Sequence, residues 1–127
     1  MNNQIRIVMV EPGKPAYETS VESSLRGMQK AVDGYIEIIP DEDCVLVCNE
    51  EGKIRNLKGN RHIGNDIIAG TFFIAADNDE LDICSLTDEQ VEHFLKKYAV
   101  PESIGDDEVA DAMTAVVYFE QGGFSDV

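Results

Sequence analysis

The stretch EPGKPAY carries three side chains that could bind a ligand: the carboxylate of Glu11, the ammonium of Lys14 and the phenol of Tyr17. The apolar run before it, Ile5–Val10, predicts a central β-strand, and sites in α/β domains often lie in the loop that follows such a strand. The residues disfavour a phosphate-binding P-loop, because that motif needs a second glycine and a Ser or Thr after the lysine. Here Pro15 follows the lysine and removes a backbone donor. The competing interpretation is an ordinary turn between two elements.

The stretch NRHIG is the second candidate, because Asn60, Arg61 and His62 bring an amide and two cationic groups into an acidic region. We expect these side chains to be exposed in a loop that precedes the apolar run DIIAGTFFIA. The planar guanidinium of Arg61 suits a carboxylate or another anion, so an anion clamp is one hypothesis. A surface loop whose arginine pairs with neighbouring carboxylates is the alternative. If the two stretches meet around a pocket, their six side chains form a ligand site.

The motifs typical of metal sites and nucleophile sites are incomplete in this chain. The stretch DNDELD begins like a calcium loop, but Asp82 stands where an EF-hand loop needs glycine, and Asp88 stands where it needs glutamate. Cys44 and Cys48 share one face of a predicted strand, yet two cysteines with two distant histidines do not make a zinc site. We therefore predict no catalytic residue, no metal and no cofactor, and we expect buried thiols. Enzymatic activity is left as the alternative.

Hydrophobic periodicity predicts the elements that hold these candidates in place. The predicted strands are Ile5–Val10, Tyr35–Ile39, Cys44–Asn49, Lys53–Leu57 and a fifth over DIIAGTFFIA. Gly70, inside the fifth strand, indicates a bulge or a close backbone approach. The predicted helices cover TSVESSLRGMQKAVDG, SLTDEQVEHFLKKYAVP and DDEVADAMTAVVYFEQGG, with a strand over TAVVYFE as the alternative for the second half of the last. The first helix is assigned a capping box at Thr19 and Glu22, and the second is assigned one at Thr87 and Gln90.

The order of these elements, β-α-β-β-β-β-α, predicts a single α+β domain over residues 1–99. Because short loops join the second to fifth strands, we expect a mixed, mostly antiparallel sheet of about five strands. The helices are expected to pack mainly on one face of that sheet. Residues 100–127 are predicted to form an acidic C-terminal extension that is helical and packs on the domain or on a partner. An oligomer formed through this segment is one consequence that we consider.

The charge of the chain restricts its partners. The 127 residues carry a net charge of −15, and residues 100–127 contain seven acids and no lysine or arginine. Such a surface repels phosphate groups, so we predict no direct binding to nucleic acid or to an anionic membrane. It suits a protein partner with a basic surface, and solubility alone is the competing explanation. The sequence has neither an apolar run long enough to span a membrane nor a signal peptide, so we predict a cytoplasmic protein.

Five stretches of the sequence together resemble an uncharacterised family of small bacterial proteins that share a domain of unknown function. These stretches are VMVEPGKPAYE, DGYIEII, VCNEEGK, NRHIGNDIIAGTFFIA and SLTDEQVEHF, and they fall within residues 4–98. The resemblance implies that the protein is carried by phages or conjugative elements of Gram-positive bacteria. It implies no catalytic role for any residue.

Three functional hypotheses remain open at this point. The first is a non-enzymatic binding or regulatory module from a mobile element, whose acidic surface binds the partner. A specific form of it is a DNA mimic that inhibits a host nucleic-acid enzyme, with the carboxylates of residues 77–92 and 102–111 in the place of phosphates. The second is a ligand-binding or enzymatic domain that uses the EPGKPAY and NRHIG stretches. The third is a structural role in which residues 100–127 mediate assembly.

Overall fold

A computed structural model of the protein describes residues 3–78 and 82–112. The strands are, in chain order, β1 (Gln4–Val10), β2 (Tyr17–Glu22), β3 (Ile36–Asp41), β4 (Cys44–Asn49), β5 (Gly59–Ile63), β6 (Asp66–Ala69), β7 (Phe72–Asp77) and β8 (Ile83–Cys84). The helices are α1 (Leu25–Val32), α2 (Asp88–Lys97) and α3, which is formed by residues 106–112. This combination confirms the predicted α+β class.

Six of the strands form one sheet, and every strand pair in the described ranges is antiparallel. The main order is β2-β1-β7-β4-β3, and β8 pairs with the end of β7. Strand β7 lies at the centre because it is apolar on both faces, and Phe72 and Phe73 are both completely buried. The prediction of a mostly antiparallel sheet is thus confirmed, with six strands where about five were expected.

Different helices cover the two faces of this sheet. On one face Val8 and Phe72 pack with Phe94 of α2. On the other face Met9 packs with Val32 of α1. We expected from the sequence that the helices would lie mainly on one face. The structure instead places α2 on one face and α1 on the other. The physical reason is that consecutive residues of the central strands are all apolar, so each face needs its own cover.

Strands β5 and β6 form a separate hairpin that packs through Ile63 and Ile68 against the face covered by α2. The stretch NRHIG, which we expected to be a loop, is therefore the strand β5. The run DIIAGTFFIA, which we expected to be one strand, is divided into β6 and β7 at Gly70. Gly70 has φ of 89°, a backbone conformation that side chains disfavour, and it turns the chain from the hairpin into the sheet.

The predicted first helix begins too early in the sequence. The stretch from Tyr17 to Glu22 pairs with β1 over its whole length, so it is the strand β2 and its capping box does not exist. Helix α1 begins at Leu25, where the hydroxyl of Ser24 accepts a hydrogen bond from the backbone of Gly27. The long-range pairing with β1 outweighs the local spacing, which is a weak signal by itself.

Two further local predictions have opposite outcomes. Lys53–Leu57 was expected to be a strand, but it belongs to a turn in which the Leu57 N–H donates to the Gly52 carbonyl at 2.9 Å. The capping box of the second helix is confirmed, since Thr87 and Gln90 exchange both side chain–backbone hydrogen bonds.

The described part of the C-terminal segment, residues 100–112, lies against the β5–β6 hairpin. Ile104 and Val109 are buried there, at 5% and 0% exposure. The approach is close, because a Cβ atom on Gly59 would come within 2.6 Å of Ile104. Residues 113–127, which include the alternative strand TAVVYFE, lie outside the described residues.

The break at Gly70 generates a prediction about stability. Gly70→Ala should lower the free energy of unfolding by about 2 kcal/mol, because it adds left-handed backbone strain and a Cβ atom 2.8 Å from Leu57. Gly64→Ala is the matched control, since Gly64 has φ of 59° but no neighbouring atom within 4 Å. It should cost about 1 kcal/mol. Urea unfolding measures both, and equal losses would show that the contact with Leu57 contributes nothing.

Candidate functional site

The EPGKPAY and NRHIG stretches meet, and the residue that joins them is Arg61. Its Nη2 group donates to the backbone carbonyls of Lys14, at 2.7 Å, and Tyr98, at 3.0 Å. The loop after β1, strand β5 and the end of α2 therefore converge on one guanidinium. The two stretches meet where the backbone of the EPGKPAY stretch packs against the side chain of Arg61.

Asn60 holds the same region from the adjacent position. Its amide donates to the carbonyls of Val10 and Gly70, both at 2.9 Å. Its side-chain oxygen accepts from Nη1 of Arg61 at 2.8 Å. Asn60 thus fixes β5 to the end of β1 and to the turn before β7. These hydrogen bonds of the Asn60 side chain all join segments of the fold to one another.

Arg61 is buried, with 1% of its surface exposed, so the expectation of an exposed arginine in a loop is wrong. Burial disfavours the charged form and lowers the pKa of the guanidinium. Its Nε group has no hydrogen-bond partner within the described ranges. The planar fork that suits anions is directed at backbone carbonyls instead. The role that the geometry shows is a structural one.

The other residues of the first stretch form a small surface cluster. The Tyr17 hydroxyl donates to the Glu11 carboxylate at 2.5 Å, and the Lys14 ammonium lies 3.6 Å from the same carboxylate. The hydrogen bond to Glu11, together with partial burial, raises the pKa of Tyr17 to about 12. The phenol therefore remains protonated at neutral pH and donates its hydrogen bond to Glu11.

His62 is the exposed member of the second stretch, and it contacts the C-terminal segment. Its Nδ1 and Nε2 atoms lie 2.5 Å from carboxylate oxygens of Glu102 and Glu108, respectively. An imidazole donates from both nitrogens only when it is protonated. The hydrogen bonds that His62 donates to Glu102 and Glu108 raise the pKa of His62 accordingly. Burial would raise the pKa of Glu102, but the hydrogen bonds from His62 outweigh it and lower this pKa.

A second polar cluster joins α2 to the β3–β4 turn. The carboxylate of Asp41 is buried and accepts hydrogen bonds from the Lys97 ammonium and the Tyr98 hydroxyl, both at 2.5 Å. Burial and the hydrogen bond to Asp41 raise the pKa of Tyr98. Burial, with a smaller effect of a nearby aspartate, raises the pKa of Cys44 to about 12. Asp41, Lys97 and Tyr98 are paired with each other, so these three side chains fix α2 on the sheet.

A concave site lies elsewhere on the molecule, at the β3 end of the sheet. This cleft has a volume of about 470 Å³ and is lined by β3, the end of β4, the turn over residues 50–54 and strand β6. Among the described residues that line it, none belongs to the six that the sequence indicated. The sequence carried a partial signal, because Glu37 shares one face of a predicted strand with Ile39. That pattern places a carboxylate beside an apolar surface.

The cleft combines an apolar floor with acidic edges. Ile39 and Ile54 contribute apolar surface, and Ile54 is 63% exposed. The carboxylates come from Glu37, Glu50 and Asp66. Lys53 is the one base among the described lining residues, and its ammonium lies 2.5 Å from Asp66. The net charge of the described lining is therefore negative.

A thiol lies at the base of this cleft. Burial, and then the charge of Glu37, raise the pKa of Cys48 to about 12. A protonated thiol is neither a strong nucleophile nor a metal ligand.

No group of three or more His, Cys, Asp or Glu residues in the described ranges is arranged to hold a metal ion. No described helix is both long and apolar enough to cross a membrane.

The burial of Arg61 predicts a large structural cost for its removal. Arg61→Met should lower the free energy of unfolding by about 2–4 kcal/mol, because the Lys14 carbonyl loses the guanidinium donor and the Tyr98 carbonyl keeps only its second donor, a backbone N–H. Arg55→Met is the matched control. Arg55 is half-exposed, pairs with Asp33 and should cost less than about 1 kcal/mol. Urea unfolding measures both. A loss below 1 kcal/mol for Arg61→Met would show that Arg61 is not a structural residue.

The contacts of His62 predict a dependence of stability on pH. Because its pKa is raised in the folded protein, the imidazolium stabilises the fold fully below its ordinary pKa of 6.5. This contribution is lost as the pH rises through the folded pKa. The urea midpoint of the wild type should therefore fall more between pH 6 and pH 9 than that of His62→Gln. His93→Gln, on α2, is the control and should retain the decrease that His62 causes. Identical profiles for His62→Gln and the wild type would contradict the prediction.

Comparison with known proteins places most of this fold in a family. Residues 5–99 match the family described as Domain of unknown function (DUF3846). The match includes nearly all of the chain from β1 to α2 and ends before the C-terminal segment. No curated protein and no solved structure gave a match. The resemblance to a family of unknown function is thereby confirmed.

Proposed function

We propose that this chain, which belongs to the DUF3846 family, is a non-enzymatic binding module of the cytoplasm that recognises a protein with a basic surface. The observation that carries the proposal is the cleft beside β3, in which carboxylates surround an apolar floor. We further propose that the protein is encoded by a phage or a conjugative element and has a regulatory role there. The chemistry of the cleft, rather than this setting, supports the binding proposal.

The cleft suits the side chain of a lysine or an arginine. Such a side chain has an apolar stem and a cationic end. The stem would lie on Ile39 and Ile54, while the cation would lie between Glu37 and Glu50. A purely acidic surface would attract cations without holding their stems. The combination therefore favours a protein ligand over a simple counterion.

The distribution of ion pairs supports a basic partner as well. Most bases of the described ranges already contact carboxylates of this chain; for example, Arg6 pairs with Glu18 and Asp88. By contrast, Glu37 and Glu50 form no ion pair within the described residues. Exposed carboxylates without an internal partner remain available to a cation from another molecule.

The chemistry of the potentially reactive groups supports a non-enzymatic role. The raised pKa values of Cys44 and Cys48 keep both thiols protonated at neutral pH. Arg61 is directed at backbone carbonyls, and His62 is held between two carboxylates. A binding module needs none of these groups to react.

The DNA mimic is the more specific form of this proposal, and the contacts favour it less. Mimicry assigns phosphate positions to the carboxylates of residues 77–92 and 102–111. Glu102 and Glu108 are occupied by His62, and Asp88 is occupied by Arg6. A nucleic-acid enzyme remains one class of protein with a basic surface. The identity of a captured partner separates this form from the general one.

The test uses charge reversal in the cleft. Wild type, Glu37→Lys and Glu22→Lys are immobilised and exposed to bacterial lysate, and bound proteins are eluted with increasing salt and identified by mass spectrometry. Glu22 is the matched control, because it is an exposed carboxylate on β2, away from the cleft. We expect basic proteins that elute as salt rises, with recovery on Glu37→Lys at least about tenfold lower. Equal recovery on all three surfaces, or no specific retention, would overturn the proposal.

A further inference from the structure

We infer that the basic partner binds as an extended segment that adds a strand to the free edge of β3, with its lysine or arginine side chains in the cleft. This inference rests on the proposed function and specifies the mode of binding. Strand β3 is the terminal strand of the order β2-β1-β7-β4-β3, and within the described residues it pairs only with β4. An exposed sheet edge presents unpaired backbone groups to another chain.

The register of β3 identifies the backbone groups that face outward. In an antiparallel pair, residues bonded to the partner strand alternate with residues whose N–H and C=O point away. The Glu50 N–H donates to the Tyr35 carbonyl at 2.8 Å, so this pair is hydrogen-bonded. Counting along the register, residues 37, 39 and 41 bond to β4. The backbone groups of Ile36 and Ile38 therefore face the free edge.

Pro40 marks the end of this edge. It is the next outward-facing position, and proline has no N–H to donate. Proline is tolerated at that position of an edge strand, because no ladder hydrogen bond is lost there. An added strand would thus find complete outward-facing pairs of backbone groups at Ile36 and Ile38. The available edge is short, and it borders the cleft.

The side chains of β3 determine the sequence pattern of the added strand. Directly opposed residues of neighbouring strands place their side chains on the same face. Glu37 faces the cleft, so the residue opposite it should be a lysine or an arginine. Ile38 is on the other face and is 49% exposed, so the residues beside it should be apolar. The occupant is therefore an extended segment in which cationic and apolar residues alternate.

The other terminal strand lacks these features. Strand β2 contributes no residue to the described lining of the cleft. Its Glu18 carboxylate is already paired with Arg6 at 2.6 Å. Only the β3 edge combines unpaired backbone groups, unpaired carboxylates and a concave apolar surface within the described part of the chain. Charge complementarity therefore selects β3 as the edge that a basic segment binds.

The geometry also predicts which amides of the partner form the new ladder. Glu37 bonds to β4, so the lysine opposite it directs its own N–H away from the sheet. The apolar residues opposite Ile36 and Ile38 direct their N–H groups toward the sheet. N-methylation removes one donor at a chosen residue and leaves the charge unchanged. It therefore separates strand addition from simple electrostatic attraction.

The probe is a capped seven-residue peptide of alternating lysine and valine, labelled for fluorescence anisotropy and measured against the full chain. The peptide begins and ends with lysine, and two isomers each carry two N-methyl groups, either on two of the valines or on the two inner lysines. We expect the valine-methylated isomer to bind at least tenfold more weakly than the parent, and the lysine-methylated isomer to bind similarly to the parent. In NMR measurements of amide hydrogen exchange, binding of the unmethylated parent peptide should slow the exchange of the backbone amide protons of Ile36 and Ile38.

The outcomes distinguish the two proposals. If both methylated isomers bind as the parent does and Glu37→Lys still abolishes binding, strand addition is overturned. The proposal that the cleft binds a basic partner is then retained. If Glu37→Lys binds the parent peptide as well as Glu22→Lys does, the cleft is not the site and both proposals fail. If no peptide binds to the wild type, both proposals fail as well. Unchanged amide spectra away from residue 37 confirm that the variant is folded.

Discussion

The packing of this protein depends on a buried guanidinium that has no carboxylate in direct contact among the residues that the structure describes. Arg61 uses its Nη groups on the backbone of three segments: its own strand β5, the loop after β1 and the end of α2. Removing such a cation from water is costly, and the lowered pKa of Arg61 reflects that cost. Carbonyl acceptors, together with the charge of Glu102 nearby, offset it. The Tyr98 carbonyl also accepts from the Ala16 N–H at 3.1 Å, so the guanidinium adds a second donor there and supplies one to the Lys14 carbonyl.

This arrangement sets the position of the β5–β6 hairpin. Asn60 attaches β5 to the end of β1, and Gly70 then returns the chain to the central strand β7. The hairpin is consequently held over the face of the sheet that α2 also covers. Strand β6 stands opposite β3 across the cleft. The cleft has no sequence motif of its own, and it forms where the hairpin positioned by the adjacent Asn60 and Arg61 side chains stands beside β3.

The fold distributes the charges of the chain unevenly between paired bases and unpaired carboxylates. Arg6, Lys53 and Lys97 each form ion pairs with carboxylates of the same chain, so their charges are neutralised locally. Among the described residues, the carboxylates without an ion pair include Glu37 and Glu50 at the rim of the cleft. A negative surface of this kind increases the association rate of basic proteins, and the apolar floor adds specificity. The proposed binding mode uses this charge and this shape together at the β3 edge.

The sequence by itself determined the α+β class, the antiparallel strands of the core and the start of α2. These follow from local causes: the apolar runs of β1 and β4 fit only a buried sheet, and the Thr87–Gln90 capping box is complete within one turn of helix. It determined the excess of acids as well. It misplaced β2, because pairing with β1 involves residues that are distant in sequence, and it misread Lys53–Leu57, whose alternating pattern lies in a turn. Only the tertiary structure decided that Arg61 is buried and that Glu37 borders a cleft. Burial and concavity depend on which segments meet, and residue types along one strand do not contain that information.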